Sequence, residues 1–155
     1  MKPIAVVLAF LCSISTPVAI DYVLSGSTAS SMFVLLYVLL HVVALALPVF
    51  FVLRKYNLLH WRTITLAGFF IASLPLAVLT WPAKYSEGVS YKSWDGHKMS
   101  TEVINGHVTQ SGWMSYLQGL GQAGIFGVFL AIIFCAVLFG VNKFLRDSKR
   151  TSGKD

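Results

Sequence analysis

The sequence predicts an all-α membrane protein with four transmembrane helices and a small antiparallel β-meander between the third and the fourth. The 155 residues are 56% hydrophobic and 12% charged, whereas about a quarter of the residues in soluble domains are charged. Four stretches contain no Asp, Glu, Lys or Arg, and each supplies the roughly 20 apolar residues that cross a hydrocarbon core. These stretches are residues 3–20, 22–53, 63–83 and 103–142. The last stretch also begins with a turn signal and β-forming residues, which predict the meander.

The first helix is predicted over residues 3–24. Pro3 lies in its first turn, where the missing N–H costs no intrahelical hydrogen bond, and Pro17 predicts a kink. A signal peptide is the alternative, with Lys2 as its basic region and a small-residue site at Ser13–Ser15. The length of the apolar stretch favours a retained helix.

The second and third helices are predicted over residues 31–53 and 62–81. The second is the most apolar of the four and contains His41 and Pro48. A short serine-rich turn joins it to the first helix, which makes the two antiparallel neighbours. The third helix ends at Trp81-Pro82, an interfacial aromatic residue followed by a helix breaker.

Residues 82–117 form the one sizeable polar segment. Asp95-Gly96 and Asn105-Gly106 are preferred dipeptides of type I′ hairpin turns, and β-forming residues flank them. A three-stranded meander follows, with three expected cross-strand pairs: Trp94 with His97, Ile104 with His107, and Val103 with Val108. So small a sheet is marginal alone, and we expect it to pack on the membrane surface, a second subunit or a partner.

The fourth helix is predicted over residues 118–144, before a basic tail at 145–155. Small side chains recur along it every four residues, a spacing that lets another helix approach closely. This ridge consists of Gly119, Ala123, Gly127, Ala131 and Cys135.

The distribution of charge predicts the orientation. Nine of the 12 Lys and Arg residues lie at helix ends that fall on one side, and three fall on the other. This positive-inside bias places both termini in the cytoplasm and residues 82–117 outside. It also accounts for the net charge of +6 without a nucleic acid partner. The compact chain lacks a glycosylation sequon in the outer segment, which favours a bacterial inner membrane.

His41 is the one ionisable side chain predicted near the bilayer midplane. Such a residue is costly unless it is paired or faces a cavity. It could be a proton relay, a metal or haem ligand, or a pore-lining group. Alternatively, it is a neutral histidine bonded to Thr65 or Ser73. The other histidines lie outside this depth, so one chain cannot hold a haem between two histidines, and we predict no cofactor.

Asp21 is the one acid that adjoins a predicted helix. It could cap the chain exit, pair with Lys84 or line an outer vestibule. In the polar segment Asp95, His97, Glu102 and His107 lack the convergent spacing of a zinc site, and no metal is predicted. Cys12 and Cys135 both fall within helices and offer no disulfide pair.

These patterns favour a non-enzymatic accessory or immunity-like membrane protein that binds another membrane protein or a second copy of itself. The expected contact residues are Gly119, Ala123, Gly127 and Ala131 on the fourth helix, with Trp94, Ile104, Val108 and Trp113 in the polar segment. The alternative is a homo-oligomeric channel or small transporter with His41 and Asp21 along its path. A membrane enzyme is least favoured because no catalytic constellation is visible.

Overall fold

A computed structural model describes residues 2–82, 88–94 and 99–151. It is mostly helical, and four helices are long and apolar enough to span a membrane. We label them α1 (Pro3–Ser25), α2 (Thr28–Lys55), α3 (Trp61–Leu79) and α4 (Gln110–Thr151). A small three-stranded antiparallel sheet lies between α3 and α4. At this level the predicted fold class is confirmed.

Helix α4 begins eight residues before the predicted position 118. The reason is an N-cap at Thr109, whose hydroxyl oxygen accepts a hydrogen bond from the Gly112 N–H at 3.1 Å. This bond satisfies one of the free donors of the first turn. The helix also continues past 144 to Thr151, because no proline or glycine interrupts the start of the basic tail.

Helix α2 contains a π-helical turn over Val42–Ala46, between α-helical segments at Thr28–His41 and Leu47–Lys55. Pro48 explains the turn. It has no N–H to donate to the carbonyl of residue 44, and its ring crowds that carbonyl. The helix widens by one residue, and the Leu47 N–H bonds to the Val42 carbonyl five residues earlier. The turn follows His41 directly.

Helix α4 is the centre of the bundle, with its most extensive contacts to α3 and further contacts to α1, which also packs on α2. The start of α1 lies beside the last third of α4, since the Lys2 N–H donates to Asn142 Oδ1 at 3.1 Å and Lys2 Nζ donates to the Leu145 carbonyl at 2.8 Å. Helix α2 meets α3 chiefly at the π-helical turn. A gap therefore remains between α2 and α3 along most of their length.

The helices α1, α2 and α4 meet in an aromatic cluster of Phe10, Phe50 and Phe134. Its ring centroids are 4.8 to 5.8 Å apart in edge-to-face arrangements, which are favourable for aromatic pairs. Below this cluster Ala5, Ala9 and Leu138 are fully buried. The small alanine side chains bring α1 close to α4.

The helices α3 and α4 approach each other at glycines. A Cβ on Gly68 would lie 2.6 Å from both the Ala131 Cβ and the Gly127 carbonyl oxygen. A Cβ on Gly127 would overlap the Gly68 carbonyl in the same way. The two backbones are therefore in direct contact, and no side chain fits between them.

The sheet consists of β1 (Tyr91–Trp94), β2 (Met99–Ile104) and β3 (His107–Val108) in sequential antiparallel order. The predicted pairs of Val103 with Val108 and of Ile104 with His107 are confirmed. Asn105 and Gly106 have φ values of +48° and +81°, as a type I′ turn requires. The predicted partner of Trp94, His97, and the Asp95-Gly96 turn lie outside the described residues. Val103 is 2% exposed and anchors the sheet on the bundle.

The glycine contact generates a stability prediction. Gly68→Ala should destabilise the protein by about 1–3 kcal/mol, because the new methyl group meets backbone that cannot move aside cheaply. Gly119→Ala is the matched control, since no atom of the described residues lies within 4 Å of a Cβ there. Thermal unfolding in detergent measures both, and equal melting temperatures for the two variants would refute the contact.

Candidate functional site

A cavity of about 250 Å³ lies inside the bundle and is lined by side chains from all four helices. It occupies the gap between α2 and α3, with α4 behind it. The aromatic cluster of Phe10, Phe50 and Phe134 forms part of its wall, and Gly68 and Gly127 form another part. The lining is almost entirely apolar. The cavity therefore favours apolar groups of a bound molecule.

His41 lines this cavity. Its Nδ1 lies 3.0 Å from the Tyr37 carbonyl oxygen, and its ring centroid lies 4.1 Å from that of Tyr37. A carbonyl oxygen only accepts, so Nδ1 carries the proton, and in the neutral ring Nε2 is an acceptor. Nε2 is buried and has no hydrogen-bond partner among the described residues. An unpaired buried acceptor costs about 1–3 kcal/mol.

The expected hydrogen bond from His41 to Thr65 or Ser73 is wrong. Thr65 Oγ1 donates to carbonyls of Trp61 and Arg62, both at 3.0 Å, and Ser73 Oγ donates to the Phe69 carbonyl at 2.8 Å. Hydroxyl side chains in an apolar helix readily bond to the carbonyl one turn earlier. Because both hydroxyl groups donate to carbonyls of their own helix, neither donates to His41.

Asp21 lies in the last turns of α1 and is held by serines at the end of α1 and the start of α2. Its carboxylate accepts hydrogen bonds from the hydroxyls of Ser25 at 3.4 Å, Ser30 at 3.2 Å and Ser31 at 3.0 Å. Ser31 and His41 are ten residues apart on one helix, or about 15 Å at 1.5 Å per residue. Of the three expected roles, these contacts agree with a cap at the end of α1. The expected pairing with Lys84 is untested, because Lys84 lies outside the described residues.

The predicted small-residue ridge of α4 is largely occupied within the chain. Gly127 and Ala131 are buried against Gly68 of α3, and Ala123 lines the cavity. Gly119 is the member that has no close neighbour among the described residues. Helix α3 therefore makes the close approach that the ridge predicts. Binding of a partner at Gly127 and Ala131 stays a prediction, and it would require α3 to move away.

The four predicted contact residues of the polar segment lie on different surfaces. Trp94 pairs with Met99, and alternation along β2 puts Met99 on the face of the buried Val103 and Ile104 on the opposite face. Trp94 and Ile104 are 62% and 50% exposed. Val108 is half-buried beside Val103.

Trp113 belongs to a second aromatic cluster, where α3 ends and α4 begins. The ring centroids of Trp81, Trp113 and Tyr116 are 5.8 to 5.9 Å apart. The Tyr116 hydroxyl also donates to the Ala77 carbonyl at 3.0 Å. Trp113 thus holds the junction together, and its contact with a partner is untested.

Among the residues that the structure describes, no three His, Cys, Asp or Glu side chains converge to hold a metal ion. Of the four residues considered for zinc, Asp95 and His97 lie outside the described part. Glu102 accepts a hydrogen bond from Ser93. The cysteines Cys12 and Cys135 are free thiols.

Sequence reasoning missed Tyr37, Gly68 and the serines around Asp21. Tyr37 lies four residues before His41, a spacing that places two side chains on one helix face. Gly68 had a weaker signal, since a lone glycine in an apolar helix does not reveal its contact. For Asp21 the signal was the serine-rich segment at residues 25–31, which contains all three hydroxyl donors.

Comparisons of the chain with protein-family models, with curated proteins and with solved structures give no match.

The serine contacts of Asp21 generate a second prediction. Asp21→Ala should lower stability by about 1 kcal/mol, because three hydroxyl groups lose a shared charged acceptor while Ser31 Oγ keeps the Ser27 carbonyl at 3.0 Å. Asp21→Asn keeps an acceptor oxygen and should cost less. Ser25→Ala removes the longest of the three bonds and is the control. Thermal unfolding of the three variants tests the order, and an unchanged melting temperature for Asp21→Ala would contradict it.

Proposed function

We propose that this chain is a non-enzymatic accessory or immunity-like protein of a bacterial inner membrane that recognises another membrane protein. In this proposal both termini are cytoplasmic and the sheet lies outside. The four apolar helices support residence in a membrane. The excess of basic residues near the end of the bundle where Lys2 meets Asn142 supports the orientation.

The observation that carries the proposal is a second small-residue face on α4, which the described part of the chain does not cover. Ala136 and Gly140 are both exposed and lie four residues apart. No atom of the described residues lies within 4 Å of a Cβ built on Gly140. Small residues at this spacing let the backbone of another helix approach closely in a bilayer. We therefore propose this face as the contact surface of the fourth helix, beside the predicted contact at Gly127 and Ala131, which would require α3 to move away.

The sheet supplies a second contact region. Trp94 and Met99 form a cross-strand pair, and their side chains are 62% and 64% exposed. The outer edge of β1 pairs with no strand in the described part of the chain, and a free edge can accept a strand of a partner. Exposed aromatic residues are also common anchors in interfaces.

The free face of α4 yields a prediction that separates binding from folding. Gly140→Leu should abolish recovery of the membrane partner on affinity purification while the melting temperature stays unchanged. Gly127→Leu should instead lower the melting temperature, because its side chain meets the α3 backbone. Gly121→Leu is the control for added bulk on α4, because no atom of the described residues lies within 4 Å of a Cβ built there. Unchanged partner recovery with Gly140→Leu would refute the proposed face.

A second candidate function is a homo-oligomeric channel or small transporter with His41 and Asp21 along its path. The observation that favours it is that His41 lines the cavity between α2 and α3. Several subunits are needed, because four helices of this length enclose little of a path by themselves.

Electrical recording tests this second candidate. If the protein conducts, His41→Phe should abolish or reshape the current in planar bilayers, whereas partner recovery should not depend on His41. A current that His41→Phe leaves unchanged would exclude His41 from the path.

A further inference from the structure

We propose that the end of the bundle where Lys2 meets α4 binds the headgroup of an anionic phospholipid, with the lipid phosphate between Arg62 on one side and Lys2 and Arg146 on the other. The proposal rests on the membrane residence in the proposed function and is independent of partner recognition by α4 and the sheet. It is drawn from the charge of this end, from the unequal reach of the helices and from the contacts of Lys2.

Charge distinguishes this end of the bundle, which comprises residues 2, 54–62 and 138–148 and is called the basic end below. These residues include one acidic side chain, Asp147, and six basic side chains. The basic residues are Lys2, Arg54, Lys55, Arg62, Lys143 and Arg146. Such an excess of positive charge attracts an anionic partner.

Helices α3 and α4 end at different heights at the basic end. Gly68 of α3 lies against the antiparallel α4 between Gly127 and Ala131, so Arg62, six residues before Gly68, is level with about residue 135 of α4. Helix α3 begins directly before Arg62, whereas α4 continues for about 16 residues past that level, or about 24 Å at 1.5 Å per residue. The free part of α4 therefore forms an open step with the start of α3.

The step lies at the depth of lipid headgroups. Tyr56 and Trp61, which flank the link between α2 and α3, are 63% and 59% exposed, and such rings mark the edge of the hydrocarbon core. Arg146 lies about 11 residues, or about 16 Å, past the level of Arg62, whereas the headgroup layer on each side of a bilayer is about 5–8 Å thick. The phosphate groups of the lipids therefore lie between the two arginines.

An exposed aromatic side chain favours a lipid over a soluble anion at this step. Phe144 is 72% exposed and lies between Lys143 and Arg146 in sequence. Aromatic rings beside basic residues are typical of helices at a lipid interface, where the ring enters the boundary of the acyl chains and the cations meet the phosphates. A nucleic acid or inorganic phosphate has no acyl chains for this ring.

Lys2 holds the far side of the step in place. Its backbone N–H donates to Asn142 Oδ1 at 3.1 Å and its Nζ donates to the Leu145 carbonyl at 2.8 Å. An ammonium group has three N–H donors, so this one bond leaves others for a phosphate oxygen. Arg146 directly follows Leu145 and lies about four turns after Ala131, near the face of α4 that packs on α3. Its guanidinium group can donate two parallel hydrogen bonds to a phosphate.

Lipid binding to the full-length protein in detergent tests the proposal. Phosphatidylglycerol and phosphatidylcholine with the same acyl chains differ in headgroup charge, and native mass spectrometry measures how much of each stays bound. A basic side chain near an anionic headgroup strengthens binding about fivefold, and three such side chains line the step. We therefore expect phosphatidylglycerol to bind at least tenfold more tightly. Equal affinity for the two lipids would overturn the proposal.

Variants that remove one charge localise the binding. Arg62→Gln and Arg146→Gln should each weaken phosphatidylglycerol binding about fivefold and leave phosphatidylcholine binding unchanged. Lys92→Gln removes the same charge from β1 and is the matched control. All three side chains are exposed, so the melting temperatures without lipid should agree with that of the unmodified protein. An equal loss of affinity with Lys92→Gln would attribute binding to net charge and refute the step.

Competition separates a phospholipid from soluble anions. Inorganic phosphate and a short single-stranded oligonucleotide present phosphate groups without acyl chains, and neither should displace phosphatidylglycerol at an equal concentration of phosphate groups. Displacement by either would refute a lipid as the occupant and assign the basic end to a soluble anion.

Failure of this inference is distinguishable from failure of the proposed function. A chain that does not reside in a membrane would not reconstitute into lipid nanodiscs of any composition, and that result would refute both. Equal affinity for the two lipids in a chain that reconstitutes refutes the headgroup site alone. Partner recovery with Gly140→Leu tests recognition separately, because that variant leaves Arg62 and Arg146 in place.

Discussion

The contact between the backbones of α3 and α4 at Gly68 and Gly127 determines how the other helices are arranged. In an apolar solvent the hydrophobic effect does not drive helices together, and close packing takes its place. The absence of side chains at these two positions makes α3 and α4 a tight pair. Helix α1 then packs on the far part of α4 through Ala5 and Ala9. Helix α2 is held mainly by α1, by the aromatic cluster and by the π-helical turn.

This arrangement explains why a cavity exists at all. Helix α3 is drawn toward α4 by glycines, while α2 follows α1 through a short turn closed by Asp21 and its serines. Helices α2 and α3 are therefore held at a distance from each other, and the gap between them is the cavity. Pro48 adds a widened turn in α2 beside this gap, and π-helical turns are frequent at functional sites. The position of His41 follows from that local geometry.

The polar end of the bundle is organised by a separate set of contacts. Trp81, Trp113 and Tyr116 lock the end of α3 to the start of α4, and Thr109 links the sheet to the helix N-terminus through the Glu102 carbonyl at 3.1 Å. Val103 is the side chain that the bundle buries. The sheet is thus fixed at its inner end, and the Trp94–Met99 pair is left exposed at the other.

The sequence by itself determined that the chain forms four helices long and apolar enough to span a membrane, because long apolar stretches with sparse charge favour that structure. It also determined the second hairpin of the sheet, since Asn105-Gly106 readily adopts the positive φ values that its turn needs. The candidate site was predictable only in part. A histidine in an apolar stretch signals a site, but its partners do not follow from spacing along the chain.

Tertiary structure decided the rest. The ridge of α4 packs on α3 because Gly68 has no side chain. Gly68 is distant from the ridge in sequence, and a single glycine does not reveal which helix it contacts. Likewise, the sequence allowed the hydroxyls of Thr65 and Ser73 to donate to His41 or to carbonyls of their own helix. They donate to the carbonyls one turn earlier. Local patterns determine helices and turns because the atoms involved are neighbours in sequence. Which faces meet, and which cavity they leave, is decided by the packing of the whole bundle.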